Sequence, residues 1–454
     1  MFKKIFYVFL IFLTNCGDIL PSKKNKSIDF VFENQNKLKQ LNIPFITNLQ
    51  EYIYQLKLKH FYEKNIYAQN IKIAILDNGF DGIEKSKGNT LPHDIFIDYG
   101  IYNPPLKTNH GTKLAEIVYA LCTGYPFYTP QILGPKLYLF NTNGFGNFKY
   151  AIQKAIEYKV DIILYSQVWE YGGNLDGKGF VNAEVNKAIE SGILWINAVG
   201  NFEKSLFISP IIFEQFASWD NTHNRTKSVT AIKLPYQNKY LRFQLNSDEN
   251  NNANSQNVKI VLAWNDFQDD INLNHTHFID LDLYLEDSLG NIIEYSNNIQ
   301  TNAHYKSIQE DSKFSFYPKE IIKTSLYPGI YYLRVVAKNN NFNYKNKYFW
   351  ITMNAYKSEF LDITDNVFPV LIPADNLRVI SVGASDVDRS SFGFVIGTRH
   401  SKPELYVNSV IKYNDDIEFK GSSSSAAIVA AKIALMLNAF GKISKEQVLY
   451  KFNN

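Results

Sequence analysis

The amino-acid sequence predicts an α/β fold in which a parallel sheet, covered by helices on both faces, is interrupted by an inserted β-sandwich of the jelly-roll type. Apolar, strand-like runs alternate with helical patterns, as is typical of a parallel sheet buried on both sides. A later stretch of short strand-like runs separated by turns is typical of a β-sandwich. The alternating runs lie at 71–77, 137–140, 161–166 and 193–199, and the helical patterns lie at 148–158 and 180–190.

Length and charge limit the class of protein. A chain of 454 residues is long enough for two or three domains and a large core. Its net charge is +3, without a dense basic patch, which argues against nucleic acid as a partner.

The N-terminus predicts export and attachment to a membrane. Lys3 and Lys4 precede an apolar run at 5–13 that is too short to cross a bilayer and is typical of a secretory signal. The run ends in Leu-Thr-Asn-Cys, which resembles a bacterial lipobox with Cys16 as the lipidated residue. The resemblance implies a lipid-anchored protein of the bacterial cell envelope, on the periplasmic or the outer surface. Asn15 replaces the usual small residue, so an ordinary cleaved signal or an uncleaved anchor stays open.

Four polar residues stand where strands end or helices begin. Asp77 ends the first strand-like run, His110 opens a helix within Asn-His-Gly-Thr, Asn201 follows the run at 193–199, and Ser423 lies among four serines that lead into an apolar helix. The carboxyl ends of parallel strands and the N-termini of helices are places where such folds build sites. Taken singly, each also has a plain structural reading, as a turn residue, a surface histidine or a helix cap.

These four blocks, in this order, resemble the signature blocks of the subtilisin-like serine proteases, the subtilases. The resemblance implies a protein or peptide substrate, with Ser423 as nucleophile, His110 as general base and Asp77 as the residue that orients His110. It also implies that the Ser423 N–H and the Asn201 amide bind the oxyanion. No metal or organic cofactor is required for this chemistry. Ser424, shifted by one position, is the alternative nucleophile.

The same resemblance implies that Ser166, Gln167 and Val168 form the edge along which an extended substrate pairs. The family has Ser-Leu-Gly-Gly here, whereas this chain has Ser-Gln-Val-Trp. Because Val168 and Trp169 replace glycines, we expect a narrowed cleft and unusual specificity.

The predicted organisation is a signal peptide, a tether with an N-terminal segment, and a catalytic domain in two parts around the β-sandwich. Alternate aspartates in the insertion are candidate calcium ligands, but aspartates that face solvent are the favoured interpretation. Likewise, His275 and His277 are more typical of a loop than of a zinc site. The predicted boundaries are 1–15, 16–66, 67–207, 208–369 and 370–454. The four aspartates are Asp269, Asp270, Asp280 and Asp282.

The sequence therefore predicts a membrane-anchored serine endopeptidase. The main alternative is a catalytically inactive subtilase fold that serves as a binding or adhesion lipoprotein, in keeping with the altered serine motif and the large insertion. An esterase with the same triad is a weaker alternative, because the serine lacks a Gly-x-Ser-x-Gly elbow.

Overall fold

A computed structural model describes most of the chain, and Cys16, His275 and His277 lie outside the described residues. The described ranges are 23–220, 225–247, 254–270, 279–300, 314–315, 317–338, 344–363 and 369–453. Their helices are α1 Lys23–Gln40, α2 Leu49–Gln55, α3 Lys59–Tyr62, α4 Ile83–Ser86, α5 His110–Thr123, α6 Phe145–Glu157, α7 Phe180–Glu190, α8 Ser422–Phe440 and α9 Lys445–Asn453.

The strands fall into three groups along the chain: those before, within and after a β-rich segment. The first group is β1 Lys72–Asp77, β2 Phe96–Asp98, β3 Lys136–Asn141, β4 Ile162–Tyr165 and β5 Leu194–Ala198. The second group is β6 Leu206–Pro210, β7 Phe213–Asp220, β8 Arg225–Ile232, β9 Leu241–Leu245, β10 Gln256–Trp264, β11 Leu281–Glu286, β12 Ile292–Ser296, β13 Ile299–Gln300, β14 Phe314–Ser315, β15 Lys319–Leu326, β16 Gly329–Ala337, β17 Tyr348–Asn354 and β18 Ser358–Phe360. The third group is β19 Ile380–Ala384, β20 Gly393–Phe394, β21 Ser401–Lys402, β22 Leu405–Val407, β23 Ile411–Lys412 and β24 Glu418–Phe419.

A seven-stranded parallel sheet runs in the order β2-β3-β1-β4-β5-β19-β22. Successive residues of β1 point to opposite faces, as the pleat requires. Ile73 and Ile75 join the core that contains α5 and α8, whereas Ala74 and Leu76 join the core that contains α6 and α7. The predicted parallel sheet with helices on both faces is therefore confirmed.

Helix α8 is apolar along most of its length because it is enclosed by other elements. By length and hydropathy it would be able to cross a membrane, yet 72% of its apolar window is buried inside the protein. A helix that is apolar all round is expected in such a core position. Its first turn begins at the carboxyl edge of the sheet.

The strands from β6 to β18, here called the β-insert (206–360), lie between β5 and β19 in the chain. Its two larger antiparallel sheets have the orders β15-β10-β17-β6 and β12-β11-β16-β9-β18. In the four-stranded sheet, Ile260 and Ile351 join the core of the β-insert. On its other face, Ala263 and Trp350 join the core beside α6 and α7. The jelly-roll type of the insertion stays a prediction.

The predicted tether contains regular structure. Helix α1 lies inside it, in a stretch without glycine or proline between Pro21 and Pro44. Helix α1 belongs to a separate unit that ends at Phe45, and residues from Ile46 onward form the second unit. The prediction of a tether relied on the polar composition alone. It did not consider that a run without glycine or proline is compatible with a helix.

Candidate active site

Three of the predicted residues meet at the carboxyl edge of the parallel sheet. Asp77 ends β1, Ser166 follows β4 and Asn201 follows β5. Because β1, β4 and β5 are neighbours in the sheet, these side chains are brought to one place. Ser423 reaches the same place from the first turn of α8. This edge is where parallel α/β sheets form their ligand sites.

Asp77 is fully buried and its carboxylate is held by three donors. His110 Nδ1 lies 2.6 Å from Asp77 Oδ2, and the Ser166 hydroxyl donates to the same oxygen at 3.1 Å. The Gly79 N–H donates to Oδ1 at 3.2 Å. Because a carboxylate only accepts, His110 Nδ1 is the donor in this contact, and the neutral form of the imidazole then has Nε2 as its acceptor.

The start of α5 lies unusually close to β1. A Cβ on Gly111 would stand 2.8 Å from Asp77 Cβ and 2.4 Å from the Phe80 ring, so only glycine fits at this position. The preceding residue, His110, is therefore held against Asp77 while its side chain stays 28% exposed. The Phe419 ring packs edge-on against the imidazole, with 5.3 Å between ring centroids.

The adjacent serines Ser423 and Ser424 have different surroundings. The Ser423 side chain is only half-buried, and its hydroxyl donates to the Ser166 main-chain carbonyl at 2.9 Å. The Ser424 side chain is fully buried, and its hydroxyl donates to the Ser409 carbonyl at 2.6 Å. Only Ser423 of the two therefore faces the site. In the described part of the chain, His110 bonds Asp77 and not the Ser423 hydroxyl.

Asn201 is fixed against the start of α8. Its Oδ1 accepts from the Ser422 N–H at 3.1 Å, and the Gly200 N–H donates to the Ser422 hydroxyl at 3.2 Å. A Cβ on Gly421, whose φ is +117°, would stand 3.0 Å from Asn201 Nδ2. These contacts leave the Asn201 amide nitrogen beside the N-terminus of the helix that carries Ser423, where main-chain N–H groups have no intrahelical acceptor.

Hydrogen bonds to other parts of the protein hold the predicted substrate edge, here called the cleft strand (166–169). The Gln167 carbonyl accepts from Asn197 Nδ2 at 3.0 Å. The Trp169 N–H donates to the Ile372 carbonyl at 2.6 Å. Val168 Cγ2 lies 3.1 Å from the position that a Cβ on Gly200 would take, so Val168 packs directly against this glycine.

Two of the four aspartates of the β-insert, Asp269 and Asp270, are exposed as the favoured interpretation predicts, whereas Asp282 is buried. Asp269 accepts from the Gly179 N–H at 2.6 Å. Asp282 is 1% exposed and lies 3.2 Å from Lys338 Nζ, so it does not face solvent. Burial, followed by the charge of Asp282, raises the pKa of Asp280 to about 6. The difference arises because β11 is an internal strand, paired with both β12 and β16. Across the described ranges, no three His, Cys, Asp or Glu side chains converge as metal ligands.

Two features of the site were not predicted from the sequence. The Ser166 hydroxyl binds Asp77, although Ser166 was expected only to contact substrate through its backbone. The Phe419 ring covers one side of His110. The signal for Ser166 was a hydroxyl at the carboxyl end of a strand next to β1, and no local pattern indicates Phe419.

The sequence resembles a curated bacterial protease over part of its length. It is 29% identical over 186 residues to the major intracellular serine protease of Bacillus subtilis (strain 168). The match covers 35% of this chain and 54% of that protein, so the chain spans about half the length of this relative.

Solved structures of proteases resemble the fold over most of the chain. The Clostridium perfringens CspB protease is 14% identical, with a TM-score of 0.42 and coverage of 85% of this chain and 87% of the other. MycP1 from Mycobacterium smegmatis is 10% identical, with a TM-score of 0.37 and coverage of 88% and 76%.

The family comparison covers the first three elements of the site. Residues 68–311, more than half of the 454-residue chain, match Peptidase_S8, the subtilase family. The matched stretch includes Asp77, His110 and Asn201 and ends before Ser423. The chain belongs to the subtilase family of serine proteases.

Proposed function

We propose that the chain is a serine endopeptidase that hydrolyses peptide bonds through Asp77, His110 and Ser423. The observation that carries this proposal is the 2.6 Å contact between His110 Nδ1 and the buried Asp77 carboxylate, on the same sheet edge as the half-buried Ser423 hydroxyl. An orienting carboxylate, a base and a solvent-accessible serine are the parts that acyl transfer needs.

The first step requires a rotation of the Ser423 side chain. Its hydroxyl turns from the Ser166 carbonyl towards His110 Nε2, which takes the proton as Oγ attacks the scissile carbonyl. His110 then gives this proton to the leaving amine, and an ester joins the acyl group to Ser423. Water, deprotonated by the same imidazole, hydrolyses the ester. Asp77 stabilises the protonated ring in both halves of the reaction.

The oxyanion binds between the start of α8 and Asn201. The Ser423 N–H lies in the first helical turn, and the Asn201 Nδ2 lies beside Gly421. Removing a side-chain donor of this kind costs about 3 kcal/mol of transition-state stabilisation. We expect Asn201→Ala to slow the reaction accordingly.

The substrate is an extended peptide that pairs with the cleft strand (166–169). Once the Ser423 hydroxyl turns away, the Ser166 carbonyl is free to accept a substrate N–H, a form of β-augmentation.

We also propose that Cys16 carries a lipid that anchors the protein to the bacterial envelope. The basic start, the short apolar run and the Leu-Thr-Asn-Cys sequence support this proposal. Metabolic labelling with a palmitate analogue is expected to mark the wild type but not Cys16→Ser. Equal labelling of both proteins would exclude this anchor.

The test of the enzymatic proposal is labelling with a fluorophosphonate, which reacts with an activated serine without needing a peptide. We expect the wild type and Ser424→Ala to be labelled, and Ser423→Ala and His110→Ala to be unlabelled. Circular dichroism is the control for folding.

The other outcomes are equally informative. Loss of labelling in Ser424→Ala alone would move the nucleophile by one position. An unlabelled but folded wild type would reject the proposal and favour the alternative, an inactive subtilase fold that binds other proteins.

A further inference from the structure

The segment that follows the cleft strand (166–169) is held by the β-insert (206–360). Glu170 comes directly after Trp169 and is only 7% exposed. Its main-chain carbonyl accepts from Trp350 Nε1 at 2.8 Å, and its Oε1 accepts from the Thr352 hydroxyl at 2.8 Å. Its Oε2 pairs with the Lys259 ammonium group. All three partners belong to β10 or β17 of the β-insert.

The geometry of the four-stranded sheet explains how these groups reach one residue. Trp350 and Thr352 are two positions apart on β17 and so point to the same face. Across the strand pair, β10 places Ala263 opposite Trp350 and Val261 opposite Thr352. This face packs on the core of the parallel sheet, and both Trp350 and Thr352 are completely buried.

Trp169 and Tyr171, on either side of Glu170, also contact other parts of the protein. The Lys319 ammonium group, from β15, lies 3.7 Å from the centre of the Tyr171 ring. The Trp169 N–H donates to the Ile372 carbonyl at 2.6 Å, in the segment where the chain returns to the parallel sheet. The cleft strand is thus fixed at its start by the Ser166–Asp77 contact and at its end by Glu170.

We propose that Glu170 is a positioning residue through which the β-insert holds the cleft strand in the conformation that binds an extended peptide. This proposal rests on the proposed function, because it assigns a role in binding the substrate of that site. A buried carboxylate needs partners for its charge, so loss of Thr352 or Lys259 from this cluster would release the segment. The contacts of Glu170 with Trp350, Thr352 and Lys259 all lie within the protein, so the role is one of positioning.

The test separates peptide binding from the reactivity of the serine. Glu170→Gln and Thr352→Val are compared with the wild type for KM and kcat on a peptide and for the rate of fluorophosphonate labelling. The matched control is Glu286→Gln, since Glu286 is 3% exposed and pairs with Arg334 at 2.6 Å elsewhere in the β-insert.

We expect Glu170→Gln and Thr352→Val to raise KM about tenfold, with kcat and labelling within about twofold of wild type. We expect Glu286→Gln to lower the melting temperature without raising KM. An equal rise in KM in Glu286→Gln would overturn the proposal. A labelling rate that falls as far as peptide cleavage would also overturn it, because the effect would then be general unfolding of the site.

A second measurement does not depend on activity. Hydrogen exchange at the amides of residues 167–169 is expected to accelerate in Glu170→Gln and Thr352→Val, but not in Glu286→Gln. Unchanged exchange in the first two variants would reject the positioning role. If the folded wild type fails to label, the proposed function fails, and the exchange result still decides whether the β-insert holds the cleft strand.

Discussion

Two buried carboxylates hold their basic partners at the same distance but in different ways. His110 Nδ1 lies 2.6 Å from Asp77, and Lys402 Nζ lies 2.6 Å from Glu404. The His110 side chain is 28% exposed, whereas the Lys402 side chain is completely buried.

The difference lies in the atoms that remain available. Besides Glu404, the Lys402 ammonium group donates to the carbonyls of Asn376 and Val379 at 2.9 Å, so its three protons are all bound within the protein. In the described residues, the imidazole of His110 bonds Asp77 through Nδ1 alone, and Nε2 is left for chemistry. A buried ion pair with every donor engaged serves the fold, whereas a hydrogen-bonded carboxylate and imidazole with an accessible acceptor serve a reaction.

The largest expected effect comes from disrupting the contact between Asp77 and His110. Asp77→Asn keeps the size of the side chain but favours the wrong tautomer of His110. We expect kcat on a peptide to fall about 10⁴-fold, with the melting temperature little changed. Steady-state kinetics and thermal unfolding measure the two quantities. A decrease of only a few-fold would show that His110 does not depend on Asp77 for its orientation.

The next largest effect is expected from disrupting the ion pair between Glu404 and Lys402. Glu404→Gln removes the carboxylate that Lys402 and Lys445 share, each at 2.6 Å, so we expect unfolding to become easier by about 3–5 kcal/mol. The double variant Lys402→Met/Glu404→Gln removes both charges and is expected to recover most of this loss. Urea denaturation gives the free energy of unfolding of the wild type, the single variant and the double variant. A double variant as unstable as the single one would show that the charges themselves are needed.

Low pH is expected to reduce the stability that Glu404 contributes through Lys402 and Lys445. Burial would raise the pKa of Glu404, but Lys402 and Lys445 outweigh this effect and lower it to about 2, from 4.5. A carboxylate with a lowered pKa stabilises the fold above its unfolded pKa and loses that contribution as the pH falls. Between pH 4.5 and 2 we expect the wild type to lose on the order of 3 kcal/mol relative to Lys402→Met/Glu404→Gln.

Acid titration of the unfolding free energy of both proteins measures this difference. Asp375 contributes in the opposite direction, since burial raises its pKa to about 6 and acid therefore favours the folded state there. Because the charge of Lys402 lowers this pKa, the opposing contribution is larger in the variant that lacks Lys402. Parallel curves for the two proteins would contradict the assignment to Glu404.

The comparison also shows which features a sequence can predict. Asp77, His110 and Ser423 stand in short local patterns at strand and helix ends, so the edge at which they meet followed from the sequence. Lys445, the second partner of Glu404, and Thr352, a partner of Glu170, come from distant parts of the chain, and only folding brings them together. The burial of Asp282 was missed for the same reason, because alternation along one strand does not show what covers it.

The smallest expected effect concerns the second donor to Asp77. Ser166→Ala removes the hydroxyl bound to Asp77 Oδ2 at 3.1 Å but keeps the main-chain carbonyl that meets Ser423. One such hydrogen bond contributes about 1 kcal/mol, so we expect kcat to fall about fivefold with little change in KM. Ser424→Ala is the matched control, since it removes a buried hydroxyl from the same region without touching Asp77. If both variants lose the same activity, the loss reflects packing around α8. If only Ser166→Ala loses activity, Asp77 depends on two donors to hold His110 in place.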